Sequence, residues 1–250
     1  MTVFRSAVVA LALGMATAAV AGAPVGPRYG DTLLATVKVK GIAGLRIDAK
    51  DKKGGAIEVV SGAKGAGTTV PLTDAMGMPI GTVSVVAAKG AHPDAAALSK
   101  WLSRRILVAD NLAEADPFLG GVKRSRLGQA IVEQLIDANP DLVSIGLHVG
   151  PKGQENVMLA TNFGRIGKLG DKDDKHVIDD EAIVREVTNG GRRLAVALPL
   201  HDKAGRTIGA LSTSFLVPAG ADPQSVASRG IAVRDAMAAK IPSLAALTAK

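Results

Sequence analysis

The sequence has no cysteine, which excludes disulfides and thiolate metal sites and leaves stability to packing alone. Aromatic residues are nearly missing: one Trp, one Tyr and four Phe in 250 residues. Stacking platforms for bases or sugars are therefore scarce. Basic and acidic residues are interspersed, as in Lys50-Asp51-Lys52-Lys53, so the net charge of +7 forms no basic stripe and no nucleic-acid partner is expected. Past the N-terminal segment no run of about 20 residues is free of charge, which argues against a stable membrane span. Common catalytic patterns are also absent. There is no G-x-S-x-G elbow, no phosphate-binding G-x-x-x-x-G-K-[ST] loop and no H-E-x-x-H pair among His92, His148, His176 and His201. The expectation is a non-enzymatic protein with no cofactor and no metal.

What is present begins with the N-terminus. Arg5 precedes an apolar or small run, residues 6–20, and Ala19-Val20-Ala21 fits a small-x-small cleavage pattern. A signal peptide over residues 1–21 and a soluble periplasmic product are expected.

The chain then repeats itself. Pro71-Leu72-Thr73-Asp74-Ala75-Met76-Gly77-Met78-Pro79-Ile80-Gly81 returns without a gap as Pro199-Leu200-His201-Asp202-Lys203-Ala204-Gly205-Arg206-Thr207-Ile208-Gly209. Each copy leads into an alternating strand-like run. A strand, a tight turn and a second strand, used twice, indicate two copies of one β-rich module. The modules are expected over residues 30–115 and 122–241, in an α+β fold of two short antiparallel sheets with flanking helices.

Within the first module, residues 31–40 read as a strand or a short helix end. Residues 44–48 and 56–61 read as strands about a polar turn. Pro93-Asp94 opens a helix with Leu98, Leu102, Arg105, Ile106 and Ala109 at helical spacing, closed before Asp116-Pro117. Residues 125–138 form a second helix. In the second module, Gly146-Leu147-His148-Val149 pairs with Gly44-Leu45-Arg46-Ile47, which sets His148 opposite Arg46. About 28 extra residues follow the second strand: a loop over 162–175 and a helix within 177–187, with Asp179, Asp180 and Glu181 at its start. Residues 192–200 and 207–216 close the sheet, and residues 223–241 form a terminal helix.

A strand hairpin, a helical excursion and a meander with a glycine turn follow the order of PAS-like domains. The segment Ala195-Val196-Ala197-Leu198-Pro199-Leu200, then Asp202-Lys203-Ala204-Gly205-Arg206-Thr207-Ile208-Gly209, resembles the closing hairpin of extracytoplasmic Cache (PDC) sensor domains. The resemblance covers about residues 125–241 and only part of the first copy. It implies a ligand-binding module with its pocket between the sheet and the segments covering it. Members commonly carry a signalling module behind the sensor, whereas this chain is expected to lack an output domain of its own.

On that basis Asn162-Phe163-Gly164-Arg165-Ile166-Gly167-Lys168 is the candidate pocket wall. Arg165 offers a bidentate fork and Lys168 a point charge for a carboxylate or phosphate. His148 and Asn162 complete the expected ligand-binding set of Arg165, Lys168, His148 and Asn162. Asp202 is expected instead to bond its own turn. Asp171, Asp173 and Asp174 do not follow a calcium-loop pattern. The expected function is therefore an exported protein that binds or senses a small organic anion or amino-acid-like metabolite. The alternative is a structural or interaction protein of the cell envelope, presenting a sheet edge or the Trp101 helix to an envelope partner and binding no small molecule.

Overall fold

The computed structural model describes residues 26–119 and 121–249. The segment expected to be a signal peptide, residues 1–21, lies outside them. The fold is α+β, with one antiparallel sheet of four strands and a second of five. The first module opens with α1 (Tyr29–Ala35), so the helical reading of that ambiguous segment holds. β1 (Ile42–Lys50), β2 (Ala56–Gly62), β3 (Thr68–Thr73) and β4 (Pro79–Ala87) follow. Their order in the sheet is β2-β1-β4-β3. α2 (Ala95–Ser103) begins at Asp94, whose carboxylate accepts the Ala97 N–H at 2.9 Å.

α2 is shorter than its spacing predicts. Ile106 and Ala109 are buried as expected, but in a turn and a 3-10 segment over Ala109–Ala113. The unwound chain lets the Ile106 carbonyl accept the Ala75 N–H at 2.8 Å, which docks the β3–β4 turn. Trp101 is half-buried against the first core beneath the Arg105 guanidinium, 3.9 Å from its ring centre.

α3 (Arg126–Ala138), capped by Ser125, leads into β5 (Leu142–Val149) and β6 (Val157–Thr161). The segment after them departs from expectation. α4 spans Lys172–Asp179 and is started by Asp171, which accepts the N–H groups of Asp173 and Asp174 while Asp174 bonds back to the Asp171 N–H. This reciprocal capping box makes Asp171 and Asp174 the start of the helix, and Asp179 and Asp180 its end. Residues expected to continue that helix form β7 (Val184–Thr188) instead. Its three β-branched residues, Val184, Val187 and Thr188, suit a strand, and it lies at the sheet edge with Arg185 and Val187 exposed.

β8 (Arg193–His201) and β9 (Thr207–Leu216) complete the order β6-β5-β9-β8-β7. Hairpin, helix and three-strand meander thus keep the PAS-like order, and the first sheet is the same arrangement without the β7 edge. α5 (Ala227–Ala238) follows a 3-10 turn, and α6 (Leu244–Thr248) was not anticipated. No helix among the described residues is long and apolar enough to cross a membrane.

The repeated turns superpose bond for bond. Asp74 Oδ1 accepts the N–H groups of Met76 and Met78 at 2.8 and 2.9 Å. Asp202 Oδ1 accepts those of Ala204 and Arg206 at 2.9 and 3.1 Å. Gly77 and Gly205 take φ of 79° and 77°, a conformation that favours glycine. Strand register corrects one pairing. Ala49 faces Gly81 and Val149 faces Gly209, so the counterpart of His148 is Asp48 and not Arg46. The glycines at 44 and 146 suggest the wrong alignment because they sit two register positions apart in the two sheets.

The two sheets differ in cover. In the first, one face packs on α1 and α2 around Ile47, Val59, Leu72 and Val83, while Arg46 and Glu58 on the other are exposed. In the second, every residue of β5 is buried. α3, α5 and α6 pack on Ile145, Leu147, Val149, Leu211 and Phe215. α4 packs on the opposite face through Val177, Ile178 and Ala210. That second cover makes an interior for the polar residues of β5.

Candidate functional site

The strand period of two puts Ser144 and His148 on the face opposite the large apolar core. Both are buried. His148 Nδ1 lies 3.3 Å from Asp174 Oδ2, and each residue is under one-tenth exposed. The capping box that starts α4 fixes the Asp174 carboxylate, and strand β5 fixes the imidazole. Asn156 lies beside them at the head of β6, 3% exposed. Its backbone carbonyl accepts the Gly170 N–H at 3.0 Å. Gly170 has to be glycine-sized here, since a Cβ would fall 1.5 Å from Asn156 Oδ1.

The group is not satisfied internally. Neither amide atom of Asn156, nor His148 Nδ1, has a partner of hydrogen-bond geometry. Asn156 is close enough to His148 to favour the protonated imidazole, but its alignment falls short of a full hydrogen bond. Buried polar atoms without partners cost on the order of 1–3 kcal/mol each, so such a cluster asks for an explanation. Next to it, Asn156, Pro151, Gln154, Lys175 and Ile178 border a depression of about 250 Å³.

Burial dominates the electrostatics. It holds the His148 imidazole below its ordinary range, against the opposing pull of the Asp174 charge and with added repulsion from Lys168. It pushes the Asp174 carboxyl above its ordinary range, although His148 and Lys168 pull it down. Both shifts favour uncharged groups. Perturbed titration in a partly enclosed place is a mark of functional sites, though ion-pair networks share it.

The four residues singled out in the sequence separate into two groups. His148 is central to the cluster. Lys168 is exposed at its edge and acts on it through charge. Arg165 points elsewhere: its Nε and Nη2 donate to the two Glu114 oxygens at 2.8 and 2.9 Å. The fork meant for a ligand is filled by the protein, and the Arg165 bonds and charge hold the Glu114 carboxyl low despite burial. Asn162 is also fully used. Its Oδ1 accepts the Ile145 N–H at 2.9 Å, and its Nδ2 donates to the carbonyls of Arg104 and Val143 at 2.8 and 3.1 Å. With Tyr29 Oη 3.1 Å from the Asn162 carbonyl and 2.7 Å from that of Arg105, this segment ties the first module to the second. Asp202 bonds its own turn and Arg206.

The cluster also takes in Asn156, Asp174 and Gly170, which lie outside the ligand-binding set expected from the sequence. The Asp171-x-x-Asp174 spacing is a readable capping box and could have placed Asp174 on the first turn of a helix. No sequence signal marks Asn156. Among the described residues, no group of three or more acidic or histidine side chains is placed to hold a metal ion.

No protein-family model and no curated protein matches the chain. Solved structures do match in part. A GAF sensor protein from Burkholderia vietnamiensis is 13% identical, with 62% of this chain and 95% of that one covered and a TM-score of 0.35. The inducer-binding domain of the PobR transcription factor from Acinetobacter, in complex with 3-hydroxybenzoic acid, is 12% identical over 48% of this chain and 97% of that one, with a TM-score of 0.32. The repressor BlcR of Agobacterium tumefaciens is 10% identical over 65% and 75%, with a TM-score of 0.29. Likeness at this level does not establish a shared fold, and the site is read from its own residues.

Proposed function

We propose that this chain is a small-molecule binding protein whose site is the His148–Asp174–Asn156 cluster of the second module. One observation carries the reading: Asn156, whose buried amide has two unpartnered atoms, borders the depression of about 250 Å³. A ligand that completes those hydrogen bonds replaces an internal cost with a gain. The depression is below the usual range of about 300–1,000 Å³ for drug-sized ligands, so the ligand is small. A small organic anion or amino-acid-like metabolite fits the room and the Lys175 cation at its edge, with Lys168 near the His148–Asp174 pair. The protein is read as an exported Cache-like sensor or binder and not as a catalyst. The closing hairpin and the N-terminal sequence pattern support that reading.

The test is a thermal-shift screen against organic acids, amino acids and their amides. A ligand at 100 times its Kd stabilises by about 2.7 kcal/mol. The expected result is a shift in the wild type that disappears in Asn156→Leu and persists in Arg165→Ala. A panel that shifts neither the wild type nor any variant contradicts the reading.

A further inference from the structure

We infer that the groove between the two modules is a second binding site, which takes a small guanidino acid with its guanidinium on Asp74. The twin turns carry this inference, and it stands apart from the His148 cluster. The two turns are built and docked alike. The Ala75 N–H donates to the Ile106 carbonyl at 2.8 Å, and the Lys203 N–H to the Ile241 carbonyl at 2.7 Å. In each turn one carboxylate oxygen, Oδ1, serves the turn itself. The second oxygen differs. Asp202 Oδ2 lies 2.8 Å from Arg206 Nε and 2.7 Å from its Nη2, and accepts from both. The gapless repeat puts Met78 where Arg206 stands. Asp74 Oδ2 is thereby left with no hydrogen bond or ion pair among the described residues, although Asp74 is only 8% exposed. That oxygen is not sealed from solvent.

Asp74 lines a groove of about 590 Å³ whose walls come from both modules. Small-molecule sites commonly occupy about 300–1,000 Å³ and favour such domain interfaces. Val70 and Met76 from the first module, with Pro140 and Leu216 from the second, make the lining largely apolar. Its cations are Lys100 on α2 and Arg104 just beyond that helix. Arg104 is used by the protein: it donates to the carbonyls of Pro140, Ile136 and Asn139, and Asp137 and Asp141 offset its charge. Lys100 is exposed. Arg192 acts on Asp74 through charge and makes no hydrogen bond to it. Burial raises the Asp74 carboxyl above its ordinary range, and a guanidinium on Oδ2 would lower it, as the Arg206 bond does for Asp202. A bare cation would also meet the charge of Lys100. The ligand therefore carries a carboxylate for Lys100, joined to its guanidinium by an apolar spacer that suits the walls.

Guanidinobutyrate and butylguanidinium are the probes, titrated into the full chain by calorimetry at neutral pH. Guanidinobutyrate is expected to bind, and butylguanidinium, which has nothing for Lys100, to bind more weakly. Asp74→Asn keeps the oxygen that forms the turn and removes the charge. It is expected to weaken guanidinobutyrate roughly ten- to a hundredfold. Met78→Arg supplies the guanidinium from within, as Arg206 does, and is expected to abolish binding. Asn156→Leu is expected to leave binding unchanged. A wild type that does not bind guanidinobutyrate overturns the inference, as does equal affinity for the two probes. Binding that neither Asp74→Asn nor Met78→Arg weakens overturns it too. Loss in Asn156→Leu alone overturns it and assigns the ligand to the second module instead. Met78→Arg leaves Asp74 and its turn bonds in place, so it decides the question even where Asp74→Asn fails to fold.

Discussion

The Cβ that Gly170 lacks would lie 1.5 Å from Asn156 Oδ1. A methyl group there must displace a side chain that is 3% exposed. Gly170→Ala is therefore expected to cost about 1–3 kcal/mol, as overpacking does, and to abolish ligand binding by moving the amide. Urea denaturation gives the first value and a thermal-shift assay the second. Wild-type stability with intact binding would show that Asn156 is not held as described.

The His148 imidazole carries a pH signature. Its folded pKa is held below the ordinary 6.5, chiefly by burial. The unfolded chain then binds more protons than the folded one as pH falls below about 6.5, and stability declines in that direction. His148→Gln is expected to remove this part of the decline. Asp174→Asn removes the charge that supports the imidazolium, and is expected to lower the His148 pKa further. Imidazole NMR titration follows His148 directly, and denaturation at several pH values follows the slope.

Asn162 and Arg165 are predicted to act on stability and not on binding. Asn162→Ala strands the Ile145 N–H and two carbonyls in the interior, at a cost of roughly 2–4 kcal/mol. Arg165→Ala leaves Glu114 with its Asn111 bond but without its cation. Both sides of that pair are partly exposed, so a smaller loss of roughly 1–2 kcal/mol is expected. In both variants the ligand-induced increment in Tm should survive on the lowered baseline.

The twin turns should titrate in opposite senses. Burial raises the Asp74 carboxyl above 3.8, so its contribution is present at low pH and fades as pH rises through the raised value. The Arg206 bond lowers the Asp202 carboxyl below 3.8, so its contribution is present above that pH and is lost as pH falls through the lowered value. Asp74→Asn should therefore compare best with the wild type at neutral pH, and Asp202→Asn best in acid. Chemical denaturation of both variants across the acid range checks the crossing.

Much of the architecture was legible because repetition and turn chemistry are local. Asp74-x-x-Gly77 and Asp202-x-x-Gly205 announce their hairpins, and Ser125 announces α3. The segment after Asp171 was not legible, since a β-branched stretch such as Val184–Thr188 suits an edge strand only once β8 is beside it. The site was harder. Glycine-flanked Arg165 looks like an anion fork until Glu114, 51 residues earlier in the chain, folds onto it. Asn156 becomes notable only when α4 and the Gly170 backbone bury it. Partnering, and its failure, is a property of tertiary structure.

The most direct test is the long-range nitrogen spectrum of the His148 imidazole, recorded with and without a small-carboxylate panel. A bound ligand beside Asn156 must change the environment of His148, and Asn156→Leu must remove the change. Selective, saturable movement of the His148 signals is the predicted result. Signals that stay fixed under every ligand, or ligand effects confined to His92, His176 and His201, would contradict the proposed site.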